Sequence, residues 1–537
     1  MSSNIQSRLY PLRGRQRLPP STFYGPGIQL PLHQHSLISS FCCHNPFALS
    51  HSRQCIRYVT VAPKQIKSFK EVPGLSTTPI IGSLHHFLPY IGTIGHKENF
   101  HDLAATFHQK FGPVVKLEGI MARASLLILF EPEHFEQVYK AEENNPLRPG
   151  FDTLDYYRSE LRKSRFDGYF GLTTAQGPQW RDFRTKVNPA LLKPKLVKIY
   201  APGLGEIAEE MVGLIRLNKE SDYLQNNFDL EITKWSLESL GLVSLGTRLG
   251  CLQDDLKENH PASQLIKCAK DIIELSFKLE FVPSLWKYFA TPNFKKLMKT
   301  YDLQWDLSAM YIDQAKKLIQ ERGSDVPEED KSILEKLIAI DERVAILMAN
   351  EMLMAGIDTV SFTVTSILYH LAMNPNAQNK LREEIRAKES RRYLRACMKE
   401  SLRIWAVVPS NLRRTSKEHV VAGYRIPAGI DVIAPNEYLS KLDKHYPRGK
   451  EFLPERWLVE KTDPLYYGNA HPMVNAPFGI GVRSCIGRRI AELEIEVFLN
   501  KLLDKHKVTW TGPPIKVVTK VVNSFAKPYY FKFESVE

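Results

Sequence analysis

One ten-residue segment restricts the possible folds of this chain more than any other feature. Residues 478–487 read Phe-Gly-Ile-Gly-Val-Arg-Ser-Cys-Ile-Gly, which places Cys485 in a glycine-rich turn two residues after Arg483. A periodic run from Arg488 predicts a helix directly after this turn. A thiolate at a helix N-terminus, near backbone N–H groups and a guanidinium, is stabilised as an anion and can bind a metal. A single cysteine is more often an inert buried side chain, so the spacing has to decide.

The spacing favours the metal-binding interpretation. Phe478, Gly481, Arg483, Cys485 and Gly487 match Phe-x-x-Gly-x-Arg-x-Cys-x-Gly, and a chance match has odds on the order of 1 in 10,000. The segment resembles the haem-binding segment of cytochrome P450s. The resemblance implies a mainly α fold with a small β region in a single domain. It also implies haem b as cofactor, with the Cys485 thiolate as the iron ligand and Phe478, Arg483 and Gly487 as neighbours of the cofactor.

Two further segments match cofactor-binding segments of the family. Trp180 and Arg184 stand four residues apart, so both occupy one helix face. Taken alone, the pair is as well explained by a packed aromatic ring beside a surface arginine. In the family, however, this pair binds a haem propionate, and Arg413 matches a second propionate-binding position. The neighbouring Arg414 leaves the register of that second match open.

The strongest helical pattern covers residues 341–373 and ends before Pro375. It contains Ala355-Gly356-Ile357-Asp358-Thr359. Glycine inside a helix costs about 1 kcal/mol relative to alanine, and from the peptide alone a small-residue helix crossing is an equal explanation. The resemblance implies instead an oxygen-binding groove. Gly356 would then leave room for dioxygen, while Asp358 and Thr359 would act as catalytic residues that relay protons.

A predicted ion triad has a structural role. Glu400 and Arg403 are three residues apart on a predicted helix, which by itself is a common surface pairing. Arg456 lies in Pro-Glu-Arg-Trp, which matches another element of the family. The resemblance implies that Glu400, Arg403 and Arg456 form a buried triad that fixes the loop before Cys485.

The charge of the chain is unevenly distributed. The net charge is +13, yet the segment before Glu71 has nine basic residues and no acidic one. Such a composition is typical of a mitochondrial transit peptide, although a basic tail without a targeting role is the alternative. The remaining charge is modest and argues against a nucleic-acid partner. We expect a disordered transit peptide at 1–63 and the haem-thiolate domain at 64–537. We find no run of about 18 apolar residues that would anchor the chain in a membrane.

A second basic cluster indicates the electron donor. Arg395 and Lys399 lie on the helix of Glu400, and Arg488 and Arg489 follow the cysteine. A solvated basic face is the simpler explanation. In mitochondrial P450s, however, basic residues at matching positions dock a small acidic ferredoxin of the adrenodoxin type, which an NADPH-dependent reductase reduces. The location implied is the matrix side of the inner membrane, with peripheral attachment.

The predicted function is therefore a mitochondrial monooxygenase. It would hydroxylate a lipophilic substrate, either steroid- or sterol-like or a xenobiotic, with O2 and electrons from the ferredoxin. Three alternatives remain: a reticulum P450 that uses a diflavin reductase, an isomerase-like P450 without a donor, and a non-catalytic haem binder. Residues 272–297, rich in Phe, Leu and Trp, are either a lipophilic membrane-facing surface or ordinary core.

One segment departs from the family pattern. Only residues 386–392 connect Ile385 to Tyr393, where the family has a noticeably longer connection. Either the loop is shortened in this protein or the sequence lacks a coding segment. Docking of the electron donor depends on this region more than haem binding does.

Overall fold

The computed structural model divides the chain into two units, Met1–Gln65 and Ile66–Glu537. It describes residues 65–536 except 79–81, 89, 91, 120–122, 194–197, 219–222, 254–255, 324–325, 328–329 and 389. The predicted transit peptide lies outside the described residues and stays a prediction. The second unit begins close to the predicted domain start at residue 64.

Helices dominate this second unit, as predicted. The two longest begin after the N-cap residues Thr291 and Asp341, and Pro292 follows Thr291 at a position where the missing N–H of proline costs nothing. The α-helices are, in chain order, α1 Phe100–Phe111, α2 Pro132–Ala141, α3 Asp152–Tyr156, α4 Lys163–Phe166, α5 Gly171–Thr174, α6 Gly177–Leu191, α7 Ala201–Asn218, α8 Tyr223–Leu245, α9 Pro261–Ser276, α10 Pro292–Arg322, α11 Ile333–Ile338, α12 Glu342–Met373, α13 Pro375–Ala387, α14 Arg392–Ile404, α15 Asn436–Leu439 and α16 Arg488–Lys505.

The β structure is small. Among the described residues, one four-stranded sheet has the order β1 (Val114–Leu117), β2 (Leu126–Leu129), β6 (Asp431–Ala434) and β3 (Asn411–Arg414), and there are three further sheets of two strands each. The apolar run from Leu126 forms β2, which pairs antiparallel with β1 and parallel with β6. Pro132 ends this run and begins α2. The strands are β1 Val114–Leu117, β2 Leu126–Leu129, β3 Asn411–Arg414, β4 His419–Val421, β5 Tyr424–Ile426, β6 Asp431–Ala434, β7 His506–Trp510, β8 Val517–Thr519, β9 Asn523–Phe525 and β10 Phe531–Ser535.

Two hydrophobic cores hold these elements together. The larger one is formed mainly by helices, with α12 packed against α8, α10, α11 and α14. The smaller one lies between the four-stranded sheet and the helices α1 and α2. In the cysteine segment, Phe478 and Ile486 pack against the larger core, whereas Ile480 packs against the smaller one. The segment therefore lies where the two cores meet.

The central helix has the predicted bounds. Asp341 caps α12 by accepting hydrogen bonds from the backbone N–H groups of Arg343 and Val344, and Pro375 begins the next helix. Among the described residues, α12 is the one helix long and apolar enough on average to span a membrane, although no uninterrupted apolar run was found in the sequence. Its most apolar window is 72% buried by the surrounding protein. Its apolar character thus reflects a position inside the larger core.

Candidate functional site

Cys485 lies in a turn that the surrounding backbone holds tightly. Gly479 and Gly481 have φ values of 81° and 66°, which L side chains rarely adopt. The N–H of Cys485 donates to the carbonyl of Phe478 at 2.7 Å, and α16 begins three residues later. The side chain of Cys485 is accessible. Although the side chain is accessible, the surrounding protein removes much of its solvent and so raises the pKa of its thiol, while the N–H group of Gly487 and the Arg184 guanidinium lower it.

Four arginines gather around this turn without a carboxylate partner. Among the described residues, none of these four side chains forms an ion pair; they are Arg148, Arg184, Arg413 and Arg483. Arg483 is buried, and its Nη2 donates to the carbonyl of Ala175 at 2.7 Å, whereas its Nε and Nη1 have no hydrogen-bond partner. Burial and the other three guanidiniums lower the pKa of Arg483 to about 8.

This cluster fits the cofactor that the sequence predicts. Buried cations without partners are costly, and a ligand with two carboxylates would remove that cost. Haem carries two propionates, and a thiol at a helix N-terminus is a suitable ligand for its iron. The donor set of Cys485 and the arginine cluster therefore matches haem.

Arg413 and Arg414, which the sequence could not distinguish, have different environments. Arg414 binds Asp431 on the neighbouring strand with two bonds of 2.6 and 2.8 Å. Arg413 is buried, lies 4.8 Å from the Tyr139 ring centroid and donates to the carbonyl of Ile480 at 3.0 Å. Only Arg413 is therefore both directed at the cysteine segment and free of a carboxylate.

Trp180 and Arg184 share one face of α6, as the spacing predicts. Trp180 is buried, and the guanidiniums of Arg184 and Arg483 lie 6.0 and 4.4 Å from its ring centroid. Arg184 also donates to the Asn188 side chain at 2.8 Å. The indole thus packs against two guanidiniums of the cluster, since aromatic faces attract cations.

The geometry around Gly356 on α12 favours a close helix crossing over an oxygen-binding groove as the reason for this glycine. A Cβ added to Gly356 would lie 2.4 Å from Cδ1 of Leu240 on α8. The Gly356 carbonyl also accepts a bond from Ser236 of α8 at 3.3 Å. Glycine is thus required by a close helix crossing, and its role toward oxygen stays a prediction. Ala355, one residue earlier, is exposed although most of α12 is buried.

Asp358 and Thr359 lie on α12 one turn after Ala355. The hydroxyl of Thr359 donates to the carbonyl of Ala355 at 3.1 Å. Burial raises the pKa of Asp358, and Lys270 partly opposes this shift. This region therefore combines the Asp358 carboxyl, which keeps its proton to higher pH, with the Thr359 hydroxyl, which is bonded to the carbonyl of the exposed Ala355.

The three residues of the predicted triad meet in the interior. Arg403 makes two bonds to the Glu400 carboxylate, at 2.9 and 2.7 Å, and Nε of Arg456 makes a third at 2.8 Å. All three side chains are fully buried. Arg403 also donates to the carbonyls of Ser440 and Gly449, both at 2.6 Å. The triad thus fixes the long loop between α15 and the cysteine segment.

The predicted ferredoxin-docking residues are exposed, but each of them already contacts another group of this chain. Arg395 binds Glu496 of α16 at 2.5 Å, and Arg488 binds Glu492 at 2.8 Å. Lys399 lies 5.6 Å from the ring centroid of Trp457. Arg489 donates to the carbonyl of Leu192. Carboxylates of α16 thus neutralise part of this surface, a feature not predicted from the sequence.

The short connection between α13 and α14 is closed by one carboxylate. Lys388 ends α13 in the left-handed conformation. Glu384 then accepts hydrogen bonds from the Ser390 hydroxyl at 2.6 Å and from the N–H groups of Tyr393 and Leu394 at 2.9 Å. Burial would raise the pKa of Glu384, but these hydrogen bonds outweigh it and lower the pKa. The chain thus forms a satisfied helix start without a longer loop.

Three residues with a role near this site were not predicted from the sequence. Arg148 joins the arginine cluster, Gln176 bonds to it, and Glu384 caps α14. Arg148 lies in Leu-Arg-Pro and Gln176 in Ala-Gln-Gly, and neither context has a characteristic spacing. Glu384 left no signal either, because it lies near the end of α13, eight residues before α14 begins.

The sequence was also compared with known proteins. A sequence model of the family described as "Cytochrome P450" matches residues 73–533. The chain belongs to the cytochrome P450 family. It is 37% identical to cytochrome P450 CYP12A2 of Musca domestica over 535 residues, covering 93% of this chain and 98% of the relative. It is 36% identical to probable mitochondrial cytochrome P450 12b2 of Drosophila melanogaster, covering 88% and 90%, and 34% identical to mitochondrial cytochrome P450 12b1 of Drosophila acanthoptera, covering 86% and 88%.

Several predictions are confirmed by this membership. This P450 is of the mitochondrial type, an oxidoreductase of the monooxygenase family that binds haem through a cysteine thiolate. The alignment with the Musca domestica P450 has 535 positions but covers only 93% of this chain, so the relative has residues that this chain lacks. The short connection at 386–392 stays a prediction from the sequence, either as a shortened loop or as a missing coding segment.

Proposed function

We propose that this P450 is a mitochondrial monooxygenase that hydroxylates a lipophilic substrate, steroid- or sterol-like or a xenobiotic. It would take O2 and two electrons from an adrenodoxin-type ferredoxin, which an NADPH-dependent reductase reduces. The observation that carries the proposal is the Cys485 turn beside four arginines without carboxylate partners. The names of two mitochondrial relatives support the compartment.

In this proposal Cys485 binds the haem iron, and Arg184, Arg413 and Arg483 bind the propionates. Phe478 and Gly487 flank the cofactor on either side of the cysteine. Haem held by a thiolate supplies the activation of dioxygen and the transfer of one oxygen atom into a C–H bond. The protein binds the cofactor, orients the substrate and delivers protons.

Proton delivery is assigned to α12. Asp358 would hold a proton because burial raises the pKa of its carboxyl. Thr359 would pass it on, because its hydroxyl can exchange its bond to the Ala355 carbonyl for a bond to a bound molecule. An acid and an alcohol at this place favour monooxygenation over the isomerase-like and non-catalytic alternatives.

Electron delivery is assigned to the exposed cations of α14 and α16. Arg395, Lys399, Arg488 and Arg489 would attract an acidic ferredoxin, since complementary charge raises the association rate. The pairs that Arg395 and Arg488 make with α16 would hold their guanidiniums in place.

Attachment to the matrix side of the inner membrane is assigned to residues 281–289. Within the segment that the sequence left open, Leu279 and Trp286 are buried, so part of it is core. Large apolar side chains from the same stretch are 42–64% exposed, namely Phe281, Val282, Leu285, Tyr288 and Phe289. An apolar patch of this kind would enter a bilayer interface.

A carbon monoxide difference spectrum tests the proposal. Protein lacking about the first 60 residues, the presequence-like stretch, is reduced with dithionite, with ferredoxin and its reductase, or with a diflavin reductase. A red-shifted thiolate Soret band with ferredoxin, but not with the diflavin enzyme, is the expected result. A band with dithionite alone would overturn ferredoxin dependence, and the absence of any thiolate band would overturn the role of Cys485.

Import into isolated mitochondria tests the compartment. The full chain should be imported and shortened, whereas a variant with Arg8, Arg13, Arg15 and Arg17 changed to Ser should remain outside. Insertion of the full chain into reticulum membranes instead would favour the reticulum alternative.

A further inference from the structure

Gln176 occupies a position at a helix start but does not perform the usual function of that position. It is the N-cap residue of α6. N-cap positions favour Ser, Thr, Asn and Asp, because these side chains accept a bond from the N–H groups of the first turn. The side chain of Gln176 makes no such bond. Its amide instead binds two chain segments outside the helix.

These two segments each carry an arginine of the cluster. Oε1 of Gln176 accepts from the backbone N–H of Arg148 at 2.9 Å, and Nε2 donates to the Arg148 carbonyl at 2.9 Å. The same Oε1 accepts from Nη2 of Arg483 at 3.2 Å. One side chain therefore holds the backbone of one arginine and the guanidinium of another.

The contacts leave the functional part of Arg483 free. Gln176 and the carbonyl of Ala175 both engage Nη2. Within the part of the chain that the structure describes, Nε and Nη1 of Arg483 are buried and have no hydrogen-bond partner. The guanidinium is thus held through one nitrogen, and its other two nitrogens remain available for an anion.

Gln176 also has a firm base. The preceding short helix α5 begins at Gly171, where a Cβ would lie 2.3 Å from the Glu351 carboxylate. Glu351 accepts from the N–H of Leu172 at 2.8 Å and from Arg158 at 2.6 Å, and both acid and arginine are buried. The backbone that leads into Gln176 is therefore fixed to the central helix.

We propose that Gln176 is a positioning residue for cofactor binding, which sets the placement of Arg148 relative to Arg483 so that both bind the haem carboxylates. The proposal rests on the proposed function, because it takes the arginine cluster to be the propionate site. It adds Arg148 to that site. It also explains why glutamine, a poor N-cap residue, stands at the start of α6.

The rate of haem transfer to excess apomyoglobin tests this role in the purified holoprotein. Gln176→Met keeps the length of the side chain but removes its polar atoms, and should speed transfer about tenfold, the equivalent of one bond to a charged group. Gln176→Glu keeps an acceptor for both N–H donors but loses the donor to the Arg148 carbonyl, and it should restore only part of the retention. Gln179→Met, an exposed position on the same helix, is the matched control and should behave as wild type.

The outcomes separate the possible explanations. Transfer from Gln176→Met at the wild-type rate would overturn the proposal, and so would equal rates for the Met and Glu variants. Equal urea midpoints for the haem-free variants, with unequal transfer rates, would support positioning over a general loss of stability. Failure of the wild type to give a thiolate carbon monoxide band would instead refute the proposed function.

Discussion

Glu400 is a single buried carboxylate that holds two arginines and part of a loop. Besides Arg403 and Arg456, it accepts bonds from the indole N–H of Trp457 at 2.9 Å and from the N–H of Leu453 at 3.1 Å. Removing the charge from such a group leaves two buried cations without their anion. The free-energy cost is therefore much larger than for a surface pair.

We expect Glu400→Gln to lower the free energy of unfolding by about 3–5 kcal/mol. The control is Glu451→Gln, which breaks the exposed Arg448–Glu451 pair and should cost less than about 1 kcal/mol. Urea unfolding of both variants measures the difference. Similar losses in the two variants would contradict the predicted role of the triad.

The buried carboxyl of Glu494 should make the stability of the folded protein depend on pH. It is 1% exposed, and burial raises its pKa to about 8, although the hydroxyl of Ser239 partly opposes this shift. Between about pH 4.5 and 8 the folded state holds a proton that the unfolded state has lost. Its contribution to stability is thus complete below about pH 4.5 and is lost as pH rises toward 8.

Glu494→Gln should remove this dependence. At pH 8 the variant should be more stable than wild type, by an amount of order a few kcal/mol. Urea midpoints at pH 5.5, 6.5 and 8 measure it, with the exposed Glu383→Gln as control. A variant that is less stable than wild type by the same amount at every pH would disprove the assignment.

At the scale of elements, the crossing of α12 and α8 limits what Gly356 can be replaced by. Gly356→Ala would place a Cβ against Leu240 and should cost about 1–3 kcal/mol of stability. Adding Leu240→Val removes the opposing methyl carbon and should recover at least about 0.5 kcal/mol in a double-mutant cycle. Additive costs would contradict the close crossing.

The same variants address the oxygen role that the sequence predicts for Gly356. Hydrogen peroxide released per NADPH consumed measures how much oxygen escapes hydroxylation. If glycine serves only the crossing, the double variant should release as little peroxide as wild type. Persistent release from a variant with restored stability would support a direct role toward oxygen.

The start of α14 depends on a residue from another helix. Glu384→Ala removes the acceptor of two N–H groups and should cost about 0.5–2 kcal/mol, the usual value of an N-cap. Glu383→Ala, the exposed neighbour, should cost less than about 0.5 kcal/mol. Thermal unfolding of the holoproteins compares them. Equal stability of the two variants would mean that the short connection does not rely on this cap.

At the scale of the whole molecule, the proposed docking surface joins exposed cations of α14 and α16. Lys399→Glu should raise the KM for ferredoxin about tenfold, with a larger effect at low salt, because exposed charges act over about one Debye length. The carbon monoxide spectrum with dithionite should not change. Lys299→Glu, an exposed lysine of α10, is the control. An unchanged KM for the Lys399 variant would place the donor elsewhere.

The sequence predicted elements better than it predicted their junctions. The turn of Cys485, the bounds of α12 and the start of α16 follow from local spacing and capping. Gln176, Arg148 and Arg483 lie far apart in the chain, and no local pattern relates them. Likewise, the contact of Gly356 with Leu240 depends on how two helices cross, so the sequence left two explanations equal.

The closed connection between α13 and α14 has a practical consequence for engineering. Because Glu384 accepts hydrogen bonds from the N–H groups of Tyr393 and Leu394 at the start of α14, the exposed Lys388 is not part of this cap. Extra residues there would lengthen a surface loop at small entropic cost. A ferredoxin domain inserted at this point would be attached next to α14, the helix that carries Lys399. The tether would give it an effective concentration in the millimolar range. The short connection between α13 and α14 is therefore a suitable insertion point for building a self-sufficient fusion enzyme.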